Sequence, residues 1–446
     1  MTRAGTLALG LALAACSDGG ALTIRPVIDI PTTDDPDATA AMLDLISLSV
    51  AHAHSDGNLV DLNFTTGQTL EMSGVPFGDD LVVHMSGFVD QSNIAYGRTC
   101  TFAVAPDGPP AAPHLFFSRT VKFASIAIPA APRIGGLGVP YLGSALLLGG
   151  TDGKNSVPSV ERFDPLTGQL SMIGTAVPRD HAAQALFGTS PQQVLVVGGA
   201  SPDDGMGVGL IEVIDSHKID PFKADLARID LTATGLTDGR VMVIGGKPTD
   251  GGPVGDIDEI ALNDDAPGVR KLAAQLATPR SGHTATQLGD DIGAPVLIAG
   301  GLDETGKPVA ASELFKPLSE ELSANFMFPM KVPRSRHAAT LMPDGSVLFI
   351  GGLDALGQPV RTLELFSVDA GFALTSELPM GAGVVDFAAT TLPDGRILLT
   401  GGRETPSSPA LDSAYVIRLN PLNGEVDVVA TDHMAIARAG HQAVPL

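Results

Sequence analysis

Residues 337–352 read His-Ala-Ala-Thr-Leu-Met-Pro-Asp-Gly-Ser-Val-Leu-Phe-Ile-Gly-Gly, and residues 387–402 read Phe-Ala-Ala-Thr-Thr-Leu-Pro-Asp-Gly-Arg-Ile-Leu-Leu-Thr-Gly-Gly. Nine of the sixteen positions are identical at an offset of 50 residues. Each stretch contains a short segment, an Asp-Gly turn, an apolar run and a Gly-Gly pair. Two-residue hairpin turns favour Asp-Gly because a positive φ costs glycine little. The pattern therefore predicts a β-hairpin that recurs along the chain.

The same Gly-Gly pair closes six apolar runs. The steps between the first glycines are 49, 47, 55, 51 and 50 residues. We interpret these glycines as structural, because they lack the spacing and the following helix of a phosphate-binding loop. The pairs are Gly149 and Gly150, Gly198 and Gly199, Gly245 and Gly246, Gly300 and Gly301, Gly351 and Gly352, and Gly401 and Gly402.

Charged residues recur within each repeat. An arginine precedes the first strand, and a glutamate lies on the third strand. The arginine series is Arg133, Arg179, Arg280, Arg336 and Arg438, and the glutamate series is Glu161, Glu212, Glu259, Glu313 and Glu364. Such charges favour Arg–Glu pairs between or within repeats. The alternative is a cationic patch of arginines at an axial mouth, where carboxylates bind guanidinium groups in a bidentate manner.

Four antiparallel strands in about 50 residues are typical of a propeller blade, which buries both faces only against its neighbours. The repeats resemble kelch units over residues 130–446, with Phe163, Phe315 and Phe366 in part of the aromatic role, although the chain has no Trp. The resemblance implies an all-β, six-bladed kelch-like β-propeller. We expect residues 438–446 to complete the first blade. The alternative is that residues 133–142 are that blade's first strand and residues 438–446 begin a seventh.

The segment before the repeats has a different pattern. Residues 42–125 contain six or seven short strands separated by turn signals, which predict a small immunoglobulin-like β-sandwich. Residues 16–41 are rich in Gly, Asp, Pro and Thr and predict a flexible tether.

Residues 1–15 form a cationic start followed by a short apolar run. The run is too short to span a bilayer as a helix, so it predicts a signal peptide. It ends in Leu13-Ala14-Ala15-Cys16, which resembles the lipobox of bacterial lipoproteins. The resemblance implies lipidation of Cys16 and a lipid anchor as the membrane contact, with the outer membrane or cell surface favoured. Cys100 is then a lone thiol, predicted to be buried.

The chain carries 27 Lys and Arg against 50 Asp and Glu, a formal net charge of −23. Such a surface repels phosphate backbones, so the sequence disfavours nucleic acid as a partner.

The repeats carry no Gly-x-Ser-x-Gly and no His-Glu-x-x-His motif, so we predict no catalytic residues, no metal and no cofactor. A galactose-oxidase-like copper site needs a Cys cross-linked to a Tyr, and residues 130–446 contain no Cys. Histidines recur near the arginines, but equivalent positions lie around a ring, too far apart to share one ion. These are His181, His283, His337 and His441, and a separate pair, His52 and His54, is a weak metal candidate.

The leading interpretation is a membrane-anchored, non-enzymatic binding module of the bacterial envelope, with a protein or glycan partner. The loops after each Gly-Gly pair would form its binding face. These loops are residues 151–158, 201–209, 247–256, 302–309, 353–360 and 403–411. The alternatives are a sugar-processing enzyme of the mutarotase or lyase type and a purely structural envelope protein. The enzyme would require Arg, His or Glu side chains that converge in the axial mouth.

Overall fold

The structure is a computed structural model. It describes residues 21–30, 42–53, 57–65, 67–106, 111, 113–119, 132–164, 169–188, 192–215, 218–263, 266–323, 328–392, 395–420 and 425–445. Within these ranges the chain is all-β, as the sequence predicts. No helix in the described part of the chain is long and apolar enough to cross a membrane. Cys16 and His54 lie outside the described residues.

In the described residues, nine strands precede the repeats. They are β1 (Ala21–Ile24), β2 (Val27–Asp29), β3 (Leu45–His52), β4 (Asn58–Phe64), β5 (Met72–Pro76), β6 (Gly78–Val89), β7 (Ser92–Arg98), β8 (Phe102–Val104) and β9 (His114–Arg119). A seven-stranded sheet has the order β2-β9-β7-β6-β3-β4, with β8 also paired to β6, and β1 pairs with β5 in a separate sheet.

The alternation of buried and more exposed residues explains how these strands pack. In β3, Ile46, Leu48 and Val50 are buried while their neighbours are more exposed, as expected for a strand with one face on a core. The core also includes Ile24 of β1. Residues 21–24 and 27–29 of the predicted tether are therefore strands, because their apolar side chains have a core to enter.

Over the part of the repeats that the structure describes, the strands form six four-stranded antiparallel sheets, each with its strands in chain order. This arrangement is consistent with a β-propeller. Sheet 1 is β10 (Leu137–Tyr141), β11 (Ser144–Leu148), β12 (Ser159–Asp164) and β13 (Gln169–Thr175); sheet 2 is β14 (Asp180–Phe187), β15 (Gln193–Ala200), β16 (Leu210–Ile214) and β17 (Ile219–Lys223); sheet 3 is β18 (Thr232–Gly235), β19 (Val241–Ile244), β20 (Asp256–Asn263) and β21 (Ala266–Gln275). Sheet 4 is β22 (Thr284–Gln287), β23 (Val296–Ala299), β24 (Glu313–Lys316) and β25 (Glu321–Leu322); sheet 5 is β26 (Ala338–Leu341), β27 (Val347–Ile350), β28 (Thr362–Ser367) and β29 (Gly371–Glu377); sheet 6 is β30 (Ala388–Thr391), β31 (Ile397–Thr400), β32 (Ala414–Leu419) and β33 (Val426–Ala430).

The apolar run in each second strand is buried on both faces. In β23, Val296 and Ile298 pack in a cluster with sheet 3. The alternate residues Leu297 and Ala299 pack in a cluster with sheet 5. A strand between two sheets needs apolar side chains at every position, which is why these runs do not alternate.

Each Gly-Gly pair is required by close packing. Both glycines of the Gly351-Gly352 pair have positive φ. A Cβ on Gly351 would lie 2.5 Å from Phe387 of the next sheet, and a Cβ on Gly352 would lie 2.5 Å from the Ser335 carbonyl of its own sheet. Real Cβ atoms do not approach this closely, so glycine is the residue that fits.

The end of the chain differs from the expectation. The first strand of sheet 1 is β10, Leu137–Tyr141, and residues 438–445 are not assigned as a strand. These residues instead lie between sheets 6 and 1. The Gly402 N–H donates to the Arg438 carbonyl at 2.9 Å. On the other side, a Cβ on Gly138 of β10 would lie 2.9 Å from Val444.

Candidate functional site

Buried arginines link the strands of single sheets. The Arg334 Nη2 atom lies 2.6 Å from Glu364 Oε1, and neither side chain is exposed. The Nη1 group of Arg334 donates to the carbonyls of Gly351 and Thr362, and its Nε group donates to Val332. Every N–H-bearing nitrogen of the guanidinium therefore has an acceptor within its own repeat.

The same arrangement recurs in two other sheets. Arg179 pairs with Glu212 at 2.6 Å, and Arg280 pairs with Glu313 at 2.6 Å. Arg133 pairs with Glu161 at 3.2 Å in sheet 1. These arginines are framework residues rather than lining residues of an open mouth.

Two assignments from the repeat alignment need correction. The framework arginine of sheet 5 is Arg334, whereas Arg336 lies two residues later and is exposed. The acid in the third strand of sheet 3 that pairs with Arg228 is Asp258. Glu259 instead binds Arg240 and Arg270 near the surface. The spacing of three residues from Arg280 to His283 repeats between Arg334 and His337, and this signal was available in the sequence.

Sheet 6 replaces the ion pair with apolar contacts. Val384 occupies the arginine position, since its carbonyl accepts from the Gly352 N–H at 2.8 Å. Tyr415 occupies the glutamate position, opposite Leu399. Both residues belong to one apolar cluster. Arg438 reaches sheet 6 through its main chain, as described above.

A ring of left-handed residues follows the framework positions. In each repeat the second residue after the arginine position has a positive φ. Neighbouring positions are linked through the main chain: the Gly282 N–H donates to the Asp230 carbonyl at 2.8 Å, and the Gly440 N–H donates to the Asp386 carbonyl at 2.7 Å. We call this set the axial ring, and it comprises Gly135, His181, Asp230, Gly282, Arg336, Asp386 and Gly440.

Four ring positions carry polar side chains that pair with one another. His181 Nδ1 lies 2.9 Å from Asp230 Oδ1. Arg336 forms an ion pair with Asp386. Arg403 Nε lies 3.7 Å from the other oxygen of Asp386. Residues of different type, contributed by different repeats, thus form charged pairs at the ring.

These charges act on each other across the ring. The hydrogen bond that His181 donates to Asp230 raises the pKa of His181, against burial and the charge of Arg336, which lower it. Burial alone would raise the pKa of Asp230, but His181, Lys247 and Arg336 leave that pKa lowered. The charge of Arg336 lowers the pKa of both members of the His181–Asp230 pair, so the pair and the arginine lie at the same end of the fold.

The loops after the Gly-Gly pairs lie at the same end of the fold as the axial ring. The residue before the ring position forms a β-bridge to the start of such a loop in five repeats: Ile134 to Thr151, Ile229 to Lys247, Ser281 to Leu302, Ser335 to Leu353 and Val385 to Arg403. The axial ring and these loops together form one face, which we call the loop face.

Three of the repeated histidines pack against glycines instead of entering the ring. His283 Nε2 lies 3.2 Å from Thr232 Oγ1, His337 Nε2 lies 3.0 Å from Thr284 Oγ1, and His441 Nε2 lies 2.8 Å from Thr400 Oγ1. Desolvation lowers the pKa of His283 and of His337 to about 3 and that of His441 to about 4. They are neutral structural residues at pH 7.

Other candidates lie far from the ring in sequence. His52 Nδ1 bonds Asp80 Oδ1 at 2.6 Å. Cys100 is partly exposed, its Sγ lies 3.7 Å from the Gly143 carbonyl of sheet 1, and desolvation raises the pKa of its thiol. In the described ranges, no three His, Cys, Asp or Glu side chains are placed to hold a metal ion.

Known proteins add little to this description. No family model matches the sequence. No curated protein matches it either. Among solved structures, 222 chains match, and one of them is described as "Structure of YjhT". That chain is 14% identical, with a TM-score of 0.47, and the match covers 61% of this chain and 89% of that chain.

Proposed function

We propose that this protein is a membrane-anchored binding module of the bacterial envelope that recognises a protein or glycan partner on its loop face. In this proposal the repeats are a six-bladed kelch-like propeller, residues 42–125 are an immunoglobulin-like sandwich, and Cys16 carries the lipid anchor. The loop face is the recognition surface, and the framework arginines hold it in place.

One observation carries the proposal. The framework positions of sheets 1 to 5 all hold an arginine paired with a carboxylate, whereas the axial ring carries His, Asp, Arg and Gly at equivalent positions. A non-glycine residue in the left-handed region costs roughly 1–2 kcal/mol. At four ring positions, a residue with a charged or titratable side chain adopts this conformation despite its cost. Strained polar residues that converge on one end of a fold favour a functional role.

The character of the ring suits a polar partner. Arg336, with about half of its side chain exposed, already pairs with a carboxylate, and a guanidinium binds a partner's carboxylates in the same planar geometry. His181 offers a second exposed polar group on the ring. The exposed apolar side chains of Met206 and Leu356 lie in two of the surrounding loops.

A second candidate function is sugar processing of the mutarotase or lyase type. The observation in its favour is the His181–Asp230 pair, since a histidine oriented by a carboxylate is a common general acid or base. Arg336 at the same end would bind an anionic substrate.

The experiment compares three forms of the protein by in-cell crosslinking and affinity purification from membranes. The first is wild type, the second is Cys16→Ala, and the third replaces His181, Asp230, Arg336 and Asp386 with Gly. Gly282 already occupies an equivalent position, so the fourfold variant keeps the backbone conformation. We expect a stoichiometric partner with wild type and its loss with the fourfold variant.

The matched control is Leu142→Gly. Leu142 is also exposed and left-handed, but it lies in the β10–β11 turn at the opposite end of sheet 1. This variant should retain the partner. Retention by the fourfold variant would contradict recognition at the ring. If the purified protein interconverts or cleaves sugars and Asp230→Asn abolishes that activity, the second candidate replaces the first.

A further inference from the structure

The linker that ends at Arg438 has the local conformation of a framework linker. The Nε group of Arg438 donates to the carbonyl of Ile436, two residues before it, at 3.4 Å. Arg334 donates from Nε to the carbonyl two residues before it at 3.2 Å. Met434, four residues before Arg438, is buried, and so is Met330, four residues before Arg334. Residues 434–438 and 330–334 are therefore equivalent segments.

In sheets 4 and 5 such a linker binds a carboxylate. Glu364 accepts from the main-chain N–H groups of Lys331 and Val332 at 2.8 and 3.0 Å, and its Oε1 lies 2.6 Å from Arg334 Nη2. Glu313 accepts from the equivalent three donors in sheet 4. Two successive N–H groups beside a guanidinium thus form a carboxylate site that the fold uses twice.

The same three donors have no acceptor in the linker that ends at Arg438. They are the N–H groups of Ala435 and Ile436 and the Nη2 group of Arg438, and none has a hydrogen-bond partner among the described residues. All three residues are exposed, so a ligand can reach the donors. We call these three donors the open nest.

The carboxylates beside the open nest are bonded elsewhere. Asp432 precedes the nest in the same linker, and Asp412 follows Leu411, whose carbonyl accepts from the Arg438 N–H. Asp432 accepts from the main-chain N–H of His433 at 3.0 Å, and Asp412 bonds the ring of the same histidine at 2.8 Å. In the described part of the chain, the charge of Arg438 therefore has no carboxylate partner.

The framework also shows what accompanies the carboxylate. Arg334 Nη1 donates to the carbonyl of Thr362, which lies two residues before Glu364 in β28. The equivalent carbonyl and glutamate are Leu210 and Glu212 in sheet 2, and Ala311 and Glu313 in sheet 4. A framework arginine thus binds an extended segment through one carbonyl and through a glutamate two residues later.

We propose that the open nest binds a glutamate side chain in an extended segment of the partner protein. The carboxylate accepts from the N–H groups of Ala435 and Ile436 and from Arg438 Nη2, and the carbonyl two residues earlier accepts from Arg438 Nη1. The Ile436 side chain is 65% exposed and offers an apolar contact beside the glutamate.

The nest adjoins the loop face, because Leu411, the last residue of the loop at 403–411, forms a β-bridge with Arg438. The proposal rests on the proposed function, since it names the partner of that face as a protein and gives the chemistry of its recognition.

An NMR titration of the purified full chain, labelled with ¹⁵N-isoleucine, tests this site. The probe is a peptide with both ends capped and the sequence of residues 309–315, Val-Ala-Ala-Ser-Glu-Leu-Phe, in which Glu313 is the one charged group. The Ile436 resonance is identified by its absence in Ile436→Val. We expect this N–H resonance to move downfield as the peptide binds. The same peptide with Glu313→Gln should bind at least about tenfold more weakly, the loss expected for one charge-assisted hydrogen bond.

Two arginine variants of the protein keep the test independent of folding. Arg438→Gln removes the charge of an exposed side chain and should weaken the peptide at least about tenfold without a change in Tm. Arg418→Gln is the matched control, because Arg418 is also an exposed arginine but pairs with Asp427 of its own sheet. Its affinity for the peptide should stay within about twofold of wild type.

The proposal is overturned if the Ile436 resonance does not respond to the peptide, if the glutamine peptide binds equally well, or if acetate at the same concentration shifts the resonance as far. These results do not depend on the cellular partner. Loss of that partner in the fourfold ring variant, together with no response of Ile436, would support the proposed function and reject the open nest alone.

Discussion

Arg334 and Glu364 form an ion pair of 2.6 Å with no exposure of either side chain to solvent. Two residues further along, Arg336 forms its ion pair with Asp386 while about half of its side chain is exposed. The two arginines belong to the same repeat and differ in burial, which makes them a natural comparison.

We expect Arg334→Ala to lower the free energy of unfolding by about 3–5 kcal/mol, because it leaves the buried carboxylate of Glu364 without its cation. Arg336→Gly should not lower it, since exposed ion pairs contribute less than about 1 kcal/mol and glycine removes the cost of roughly 1–2 kcal/mol that the left-handed backbone imposes on Arg336. Denaturant unfolding of both variants measures the difference. Equal losses would mean that Arg334 is not the framework residue.

Acid should destabilise the fold through its buried histidines. Desolvation lowers the pKa of His283 to about 3 in the fold, whereas an unfolded histidine titrates near 6.5. The unfolded chain therefore binds a proton that the folded chain refuses, and stability falls as the pH drops from about 6.5 toward 3.

His283→Phe should reduce this dependence on pH, because it removes one such group. Phenylalanine is a suitable replacement, since Phe387 packs on Gly351 in the way that His283 packs on Gly245. The measurement is the unfolding free energy of both proteins at several values between pH 4 and 7. A slope identical to that of wild type would show that His283 does not resist protonation.

A pair of alanine substitutions separates backbone strain from close packing. Gly351 and Gly357 both have positive φ, at 64° and 70°. A Cβ on Gly351 would meet Phe387 at 2.5 Å, whereas a Cβ on Gly357 would have nothing within 4 Å.

We expect Gly357→Ala to cost roughly 1 kcal/mol, the penalty of the left-handed conformation alone. Gly351→Ala should cost roughly 2–4 kcal/mol, because overpacking adds to that penalty. Thermal unfolding of the two variants gives the comparison. If the two variants unfold at the same temperature, the Gly-Gly pairs are needed for φ alone.

Removal of residues 437–446 should destabilise sheet 6. The deletion removes the acceptor of the Gly402 N–H and the partner of Thr400, His441. It also uncovers the main chain of β10 at Gly138. Because these contacts are lost, the shortened protein should unfold at a lower temperature than the full chain, which thermal unfolding measures.

A shorter deletion, of residues 442–446, is the control because it keeps both Arg438 and His441. It should affect stability less than the longer deletion. An unchanged melting temperature in the longer deletion would show that the terminal segment does not join sheets 6 and 1.

The period of the Gly-Gly pairs was enough to predict four strands per repeat, because turn and packing constraints act locally on the sequence. The axial ring was not predictable in this way. Its members have the same backbone conformation but not the same residue type. Positions such as His181 and Asp386 therefore give no common signal in an alignment of repeats.

Other differences have similar physical origins. Arg334 and Arg336 have the same chemistry two residues apart, and burial rather than sequence separates them. Asp258 and Glu259 are adjacent carboxylates, and the strand register decides which one meets the arginine. Residues 21–30 have a composition typical of a linker, yet Ile24 enters a core formed by strands far along the chain.

The left-handed conformation of the ring positions also allows the side chains of the loop face to be substituted readily. Each ring position lies two residues after a framework position of its own repeat. The contacts of the framework residue do not involve the side chain at the ring position. A change from Asp386 to Gly, or from Gly282 to Asp, needs no adjustment in any strand. Successive substitutions at seven sites could therefore invert the local charge of this face while the scaffold remains constant, and proteins with different partners could arise from a single architecture.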